Sequence, residues 1–101
     1  MPADQISKVE IDACGRLLVF PSSADLAFVY RAGMEVNWDE ALHALYSPNP
    51  REWSYAQWFQ QLLGAAHGEY GVVLSLTPQT QWKNVDLQTK DAILASVGSG
   101  A

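Results

Sequence analysis

The sequence predicts an α+β domain: an antiparallel, curved sheet of about four to six strands with one long and one short helix on one face. The first half contains short segments that alternate with a period of two, as strands do. The second half contains a long apolar stripe with helical spacing, then a short apolar run and a short helical pattern. Strands followed by helix–strand–helix are typical of α+β folds. We expect one domain over residues 1–97 and a flexible tail over residues 98–101.

The first predicted element is a β-hairpin. Residues 7–13 alternate and place Val9 and Ile11 on one face. Gly15 supplies the positive φ that a tight hairpin turn needs. Residues 17–20 form the return strand, which ends before Pro21.

Three further strands are predicted before the long helix. Residues 27–31 are rich in β-branched and aromatic side chains, which favours a strand. Residues 35–39 alternate, with Val36 and Trp38 on one face, and residues 42–46 return as a short strand. A helix over residues 38–46 is the alternative, because its apolar residues also fit a helical spacing.

A long helix is predicted over residues 54–67. Ser54 and Gln57 have the spacing of a capping box, in which each side chain accepts a hydrogen bond from the other residue's backbone N–H. One apolar stripe follows: Tyr55, Trp58, Phe59, Leu62, Leu63 and Ala66. Gly68 is predicted to end the helix.

The remaining chain predicts one more strand and one more helix. Residues 72–76 are apolar and are expected to form a central strand, buried on both faces. Residues 77–82 are predicted as a loop or short helical turn. Asp86 is the predicted N-cap of the last helix, and its inward side chains are expected to be Leu87, Ile93, Leu94 and Val97.

The formal net charge of −5 indicates which classes of binding partner to expect. A nucleic-acid surface needs clustered Lys and Arg, and here the basic residues are scattered, so we expect no nucleic acid. An acidic protein suits a basic protein partner, because opposite charge speeds association. The alternative is that the charge only keeps a small protein soluble.

No metal, cofactor or membrane is expected. The single cysteine excludes an intrachain disulfide and a cysteine-rich metal site, and His43 and His67 lack the short spacing of zinc ligands. No signal peptide is visible, and no apolar run approaches the about 20 residues that span a bilayer. The expected location is cytoplasmic.

The sequence does not indicate a catalytic site, so whether the chain is an enzyme stays open, with a non-enzymatic role favoured. Nucleophile-elbow and phosphate-loop motifs are absent. Asp39 and Glu40 are adjacent carboxylates that could perform acid–base work, or could simply be solvated.

The segment before the long helix is a candidate recognition edge. Prolines stiffen residues 48–50, and Arg51 and Glu52 are expected to be exposed beside the helix start. Trp53 either joins this edge or packs on Trp58 as a hydrophobic staple, an interpretation that its position before Ser54 favours.

The chain resembles small uncharacterised bacterial proteins that travel on mobile gene cassettes or are encoded beside toxin genes as immunity proteins. The resemblance rests on short sequence segments distributed over residues 6–95: Tyr30-Arg31, Glu35 to Asp39, Ser47-Pro48, Pro50 to Tyr55, Trp58-Phe59, Glu69 to Gly71, Leu76-Thr77 and Trp82. It implies a small accessory protein more than a metabolic enzyme.

Three functions follow as hypotheses. The first is a non-enzymatic binding protein, of immunity or regulatory type, with these candidate binding residues: Glu35, Trp38, Asp39, Glu40, Tyr46, Arg51 and Glu52. The second is a small-molecule site or small enzyme with a pocket between helix and sheet, lined by Tyr55, Trp58, His67 and Glu69, with Glu69 or Asp39 as the acid–base group. The third is a homodimer that uses the aromatic stripe as its interface.

Overall fold

The structure, a computed structural model, describes residues 3–32, 35–48 and 53–98. Within them the chain forms six strands, two α-helices and one 3₁₀ helix. In chain order these are β1 (Ala3–Ile11), β2 (Leu17–Pro21), the 3₁₀ helix (Val29–Ala32), β3 (Asn37–Asp39), β4 (Ala44–Tyr46), α1 (Tyr55–Tyr70), β5 (Val73–Ser75), β6 (Gln81–Lys83) and α2 (Leu87–Gly98).

The α+β class is confirmed, and the sheet is mixed rather than purely antiparallel. Its order is β3-β4-β2-β1-β5, and β6 also pairs with β1. The hairpins β1–β2 and β3–β4 and the β2–β4 pair are antiparallel, whereas β5 and β6 run parallel to β1. The parallel pairs arise because helix α1 connects β4 to β5 as a crossover, and a crossover returns the next strand in the same direction. Strand β4 runs in the direction of β1, so β5 does as well.

The predicted central strand at residues 72–76 is wrong in position. The strand is β5, which lies at the edge of the sheet beside the first residues of β1. Leu74 is buried there, but Val73 is 40% exposed. β6 continues along the same edge, and between the two strands the Thr80 hydroxyl donates a 2.6 Å hydrogen bond to the carbonyl of Ile6.

The predicted strand at residues 27–31 is also wrong, because the segment is a loop that leads into the 3₁₀ helix. Leu26 and Val29 are fully buried, and their spacing of three residues matches one turn of a 3₁₀ helix. The Asp4 carboxylate holds the start of the segment by accepting hydrogen bonds from the backbone N–H groups of Ser23 and Ala24, each at 2.9 Å. Tertiary contacts therefore override the β propensity of the side chains.

Helix α1 packs its apolar stripe into the core and supplies five of the fifteen buried residues of the core cluster in the described part of the chain. The predicted capping box between Ser54 and Gln57 is present. Burying Phe59, which is 0% exposed, contributes roughly 2–3 kcal/mol by area. The stop at Gly68 is wrong, because the helix continues to Tyr70 and ends where Gly71 adopts a left-handed φ of 67° and donates to the carbonyl of His67.

Helix α2 begins where predicted, since the Asp86 carboxylate accepts a 2.7 Å hydrogen bond from the backbone N–H of Thr89. Ile93 is buried as expected, but Leu87 is 71% and Leu94 38% exposed, so their inward prediction is wrong. Ile93 projects from a different side of the helix than the pair at 87 and 94, and only its side meets the core. The Val97 side chain is outside the described residues.

Candidate functional site

The β3–β4 hairpin forms one side of the sheet and brings an aromatic residue next to carboxylates. Strand β3 pairs only with β4 among the described strands and stands at the end of the sheet order. The indole Nε1 of Trp38 donates a 2.8 Å hydrogen bond to Glu40, and the rings of Trp38 and His43 meet edge to face at 4.7 Å. We call Trp38, Asp39, Glu40, Leu42 and His43 the hairpin surface.

The turn of this hairpin exposes an apolar side chain and uses a strained backbone. Leu42 is 48% exposed, and its backbone N–H donates to the Asp39 carboxylate at 2.9 Å. His43 adopts a φ of 59°, the left-handed region that side chains with a Cβ avoid. Strain of this kind clusters at functional sites, where it holds residues in place for binding.

Of the other candidate binding residues, Glu35 and Tyr46 are described by the structure. Glu35 is exposed, two residues before β3, and also has a left-handed φ of 59°. Tyr46 projects from the opposite face of the sheet to Trp38, because Trp38 is paired with Leu45 and Tyr46 with Asn37. The Arg16 guanidinium lies 4.7 Å from the Tyr46 ring centroid and covers it. Arg51 and Glu52 fall outside the described residues.

Sequence reasoning missed Leu42 and His43 as site residues. Leu42 was assigned to a strand, and His43 was considered only as a metal ligand. The sequence carries no clear signal for them, because the turn over residues 40–43 is set by the pairing of β3 with β4. Phe28, just before the 3₁₀ helix, and Tyr30, within it, are also exposed, and the strand predicted over residues 27–31 gives no indication of this.

The four residues of the alternative pocket do not line one cavity. Trp58 is buried in the core, and the Tyr55 hydroxyl donates a 2.8 Å hydrogen bond to the carbonyl of Gly15. His67 and Glu69 are exposed near the other end of α1. His67 is the twelfth residue after Tyr55 along the helix, which corresponds to a rise of about 18 Å.

A shallow groove lies instead between the first turns of α1 and α2. Its volume is about 340 Å³, and it is lined by Trp53, Ser54, Tyr55, Ala56, Gln88, Thr89 and Ala92. The predicted staple is confirmed, since the rings of Trp53 and Trp58 are 5.0 Å apart. Trp53 still exposes 41% of its surface and forms one wall of the groove.

The carboxylates with lowered pKa values hold turns and helix starts. Partial burial raises the pKa of Asp12, but hydrogen bonds from the backbone and guanidinium of Arg16 outweigh burial and lower it. The pKa of Asp4 is lowered against burial by hydrogen bonds from Ser23 and Ala24. The pKa of Asp86 is lowered by its hydrogen bonds with Thr89. These three groups are therefore structural.

Within residues 3–32, 35–48 and 53–98, no three His, Cys, Asp or Glu side chains come close enough to form a metal site. In the same ranges, neither helix has the length and apolar character needed to cross a bilayer.

Residues 4–80 match the family model described as Integron Cassette Protein Hfx_Cass5. The chain belongs to this family. A solved structure described as the integron cassette protein Hfx_Cass5, from the mobile metagenome of North West Arm Sewage Outfall, is 42% identical to the chain. The match covers 97% of this chain and 98% of that one, with a TM-score of 0.50. No curated protein matches the chain.

Membership of Hfx_Cass5 confirms the mobile-gene-cassette part of the resemblance that the sequence indicates. The family description names no activity, ligand or partner. The function must therefore be argued from the hairpin surface itself.

Proposed function

We propose that the chain is a non-catalytic binding protein that holds a basic partner protein against its hairpin surface. The observation that carries the proposal is the β3–β4 turn, where Leu42 is 48% exposed and His43 has a left-handed backbone. A turn selected only for stability would place glycine or asparagine at the left-handed position and a polar residue beside it.

The chemistry of the hairpin surface suits protein recognition. Trp38 is partly buried against the core and its ring also contacts Glu40 and His43, so little side-chain freedom is lost when a partner covers its exposed part. Leu42 offers an apolar anchor at the tip. Asp39 and Glu40 add carboxylates for Lys or Arg side chains, and Glu35 adds a third beside β3.

The charge of the whole chain supports a basic partner. A net charge of −5 attracts a basic protein from a distance and raises the association rate, most strongly at low salt. We place this encounter in the cytoplasm.

An immunity-type inhibitor or a regulatory protein is the specific form that we propose for this binding role. An immunity protein must cover a functional surface of a toxin, and toxins that act on nucleic acid are basic for the reason that their substrates are anionic. An inhibitor differs from a protein that only binds because the partner loses its activity. The activity of the partner, measured with an equimolar amount of the chain, therefore distinguishes the two.

The test is affinity capture with matched variants. A lysate of the organism that encodes the chain is passed over three immobilised proteins: wild type, Asp39→Asn/Glu40→Gln/Leu42→Ser, and Glu69→Gln/Asp91→Asn. The first two changes remove charge but keep an oxygen acceptor for the hydrogen bonds from Leu42 and Trp38. The Glu69/Asp91 variant removes the same charge from exposed positions elsewhere.

We expect one basic protein to be retained by the wild type and by the Glu69/Asp91 variant, and to be absent from the hairpin variant. Equal retention by all three proteins would contradict the proposal, and so would equal loss from both variants, because either result would mean that the hairpin surface carries no specific contact.

A further inference from the structure

The ring pairs of the described chain differ in what they can respond to. Trp58, in the aromatic stripe of α1, is 6% exposed and belongs to the core cluster, so the stripe is buried there and is not the dimer interface that the sequence suggests. Phenylalanine and tyrosine rings do not titrate near neutral pH, which sets the Phe28–Tyr30 pair aside. The Trp38–His43 pair contains an imidazole, the side chain that ordinarily takes up a proton near neutral pH.

The backbone of the β3–β4 turn places the His43 ring at Trp38. The His43 N–H donates a 2.7 Å hydrogen bond to the carbonyl of Asp39, and the two rings meet at 4.7 Å with an interplanar angle of 74°. The Trp38 indole donates to the Glu40 carboxylate at 2.8 Å. The imidazole and this carboxylate therefore contact the same indole and lie within about 10 Å of each other, the distance over which charges interact at 0.1 M salt.

The charged and titratable groups around His43 come from its own hairpin and from the 3₁₀ helix, which packs against β3. The hairpin contributes Asp39 and Glu40, and the 3₁₀ helix contributes Tyr30 and Arg31. Strand β2, which pairs with β4, carries no titratable side chain. The two carboxylates accept hydrogen bonds from neutral donors, and neither forms an ion pair with a described residue. Both can therefore attract a new cation.

We infer that His43 is a pH switch for the hairpin surface: when its imidazole takes up a proton, the surface gains a cation beside Trp38 and releases its basic partner. With a neutral imidazole the formal charge of the hairpin surface is −2, one charge each from Asp39 and Glu40. With a protonated imidazole it is −1, and the new cation competes with the partner's Lys and Arg side chains for the same carboxylates. The inference rests on the binding role proposed above, because this cation repels a basic partner.

The direction of the effect follows from linkage. A proton and a basic partner both add positive charge to one surface, so each weakens the binding of the other by the same factor. Between pH 8 and pH 5.5 a histidine ordinarily becomes protonated, whereas carboxylates largely keep their charge. The affinity for the basic partner should therefore be highest above neutral pH and fall as the solution becomes acidic.

The first measurement uses the chain alone and follows the indole N–H resonances of its four tryptophans by NMR between pH 8 and pH 5.5. Trp38→Phe identifies the resonance of Trp38. That resonance should shift with pH in the wild type and in the control variant His67→Asn, which removes the other histidine, and should stay constant in His43→Asn. Asparagine adopts the left-handed backbone readily, so His43→Asn keeps the turn. A Trp38 resonance that is constant in the wild type, or that shifts equally in His43→Asn, would overturn the inference.

The second measurement is calorimetry with the captured partner at pH 8 and pH 5.5. The ratio of the dissociation constant at pH 5.5 to that at pH 8 should be at least about threefold larger for the wild type and His67→Asn than for His43→Asn, since one exposed charge is added. An equal ratio in all three proteins would overturn the inference. Failure to capture any partner would contradict the binding role instead, and the Trp38 resonance would still decide whether the hairpin responds to protonation of His43.

Discussion

The β1–β2 turn and the β3–β4 turn both begin with an aspartate, but they place very different residues after it. Asp12 accepts hydrogen bonds from the backbone N–H groups of Cys14 and Arg16 and from the Arg16 guanidinium. Gly15 takes the left-handed position there with a φ of 85°. The Asp39 carboxylate accepts its bond from Leu42, and His43 takes the left-handed position.

The difference separates a turn built for stability from one that displays side chains. In the first turn, the Asp12 carboxylate accepts three hydrogen bonds, and a glycine occupies the left-handed position, which glycine adopts without strain. The second exposes a leucine and strains a histidine, so its residues are poorly explained by folding alone. Each prediction below tests that contrast.

The largest expected effect is the difference in unfolding free energy between alanine substitutions at two leucines of the β3–β4 hairpin. Leu45→Ala in β4 removes a side chain that is 0% exposed and should lower the free energy of unfolding by about 2–5 kcal/mol. Leu42→Ala, in the turn, should change it by less than about 0.5 kcal/mol. Urea denaturation measures both. A large loss for Leu42→Ala would mean that this leucine serves folding.

The second-largest expected effect is the difference between Asp12 and Asp39 in how much each carboxylate stabilises the fold. Asp12→Ala removes three hydrogen bonds, one of them charge-assisted, and should cost about 1–3 kcal/mol. Asp39→Ala removes one hydrogen bond at an exposed turn and should cost about 1 kcal/mol or less. Equal losses in urea denaturation would contradict the contrast between the turns.

The Asp12 contribution should also depend on pH. Its pKa is lowered in the folded protein, so its stabilisation is complete above the unfolded pKa of about 4 and is lost as the pH falls through the lower folded value. The difference in unfolding free energy between wild type and Asp12→Ala should therefore shrink between pH 5 and pH 2. Denaturation at several pH values measures it, and a constant difference would show that the charge of Asp12 is irrelevant.

The smallest expected effects concern the left-handed positions. Gly15→Ala forces a Cβ into a φ of 85° and should cost about 1–2 kcal/mol. His43→Gly relieves a strained φ but loses the ring contact with Trp38, and should leave the protein between equally stable and about 1 kcal/mol more stable. Thermal unfolding compares the pair. A clear loss for His43→Gly would show that the histidine supports the fold.

Local signals in the sequence predicted several elements correctly. The alternation of residues 7–13, which β1 includes as far as Ile11, the turn at Gly15, the capping box at Ser54 and the N-cap at Asp86 each depend on neighbours within a few residues. The strand predicted over residues 42–46, preferred over a helix, is present over its last three residues as β4, whereas Leu42 and His43 lie in the turn. Patterns of this range are visible without knowing the fold.

The features that the sequence did not predict depend on contacts between residues far apart in the chain. The parallel pairing of β5 with β1 joins residues about 70 positions apart, and nothing local to Val73 or Leu74 indicates an edge. The segment at Phe28 has strand propensity, but the burial of Leu26 and Val29 makes it helical. Likewise, the sequence placed Trp38, Asp39 and Glu40 in one site, whereas Leu42 and His43 joined it only through the shape of the turn.

The most direct test of the hairpin surface is the affinity of Leu42→Ala for the captured partner, measured by calorimetry beside its unfolding free energy. The proposed role predicts an affinity at least about 30-fold weaker than wild type, equivalent to about 2 kcal/mol, in a protein whose stability is unchanged. An unchanged affinity would contradict it, because the exposed leucine would then serve neither the fold nor the binding.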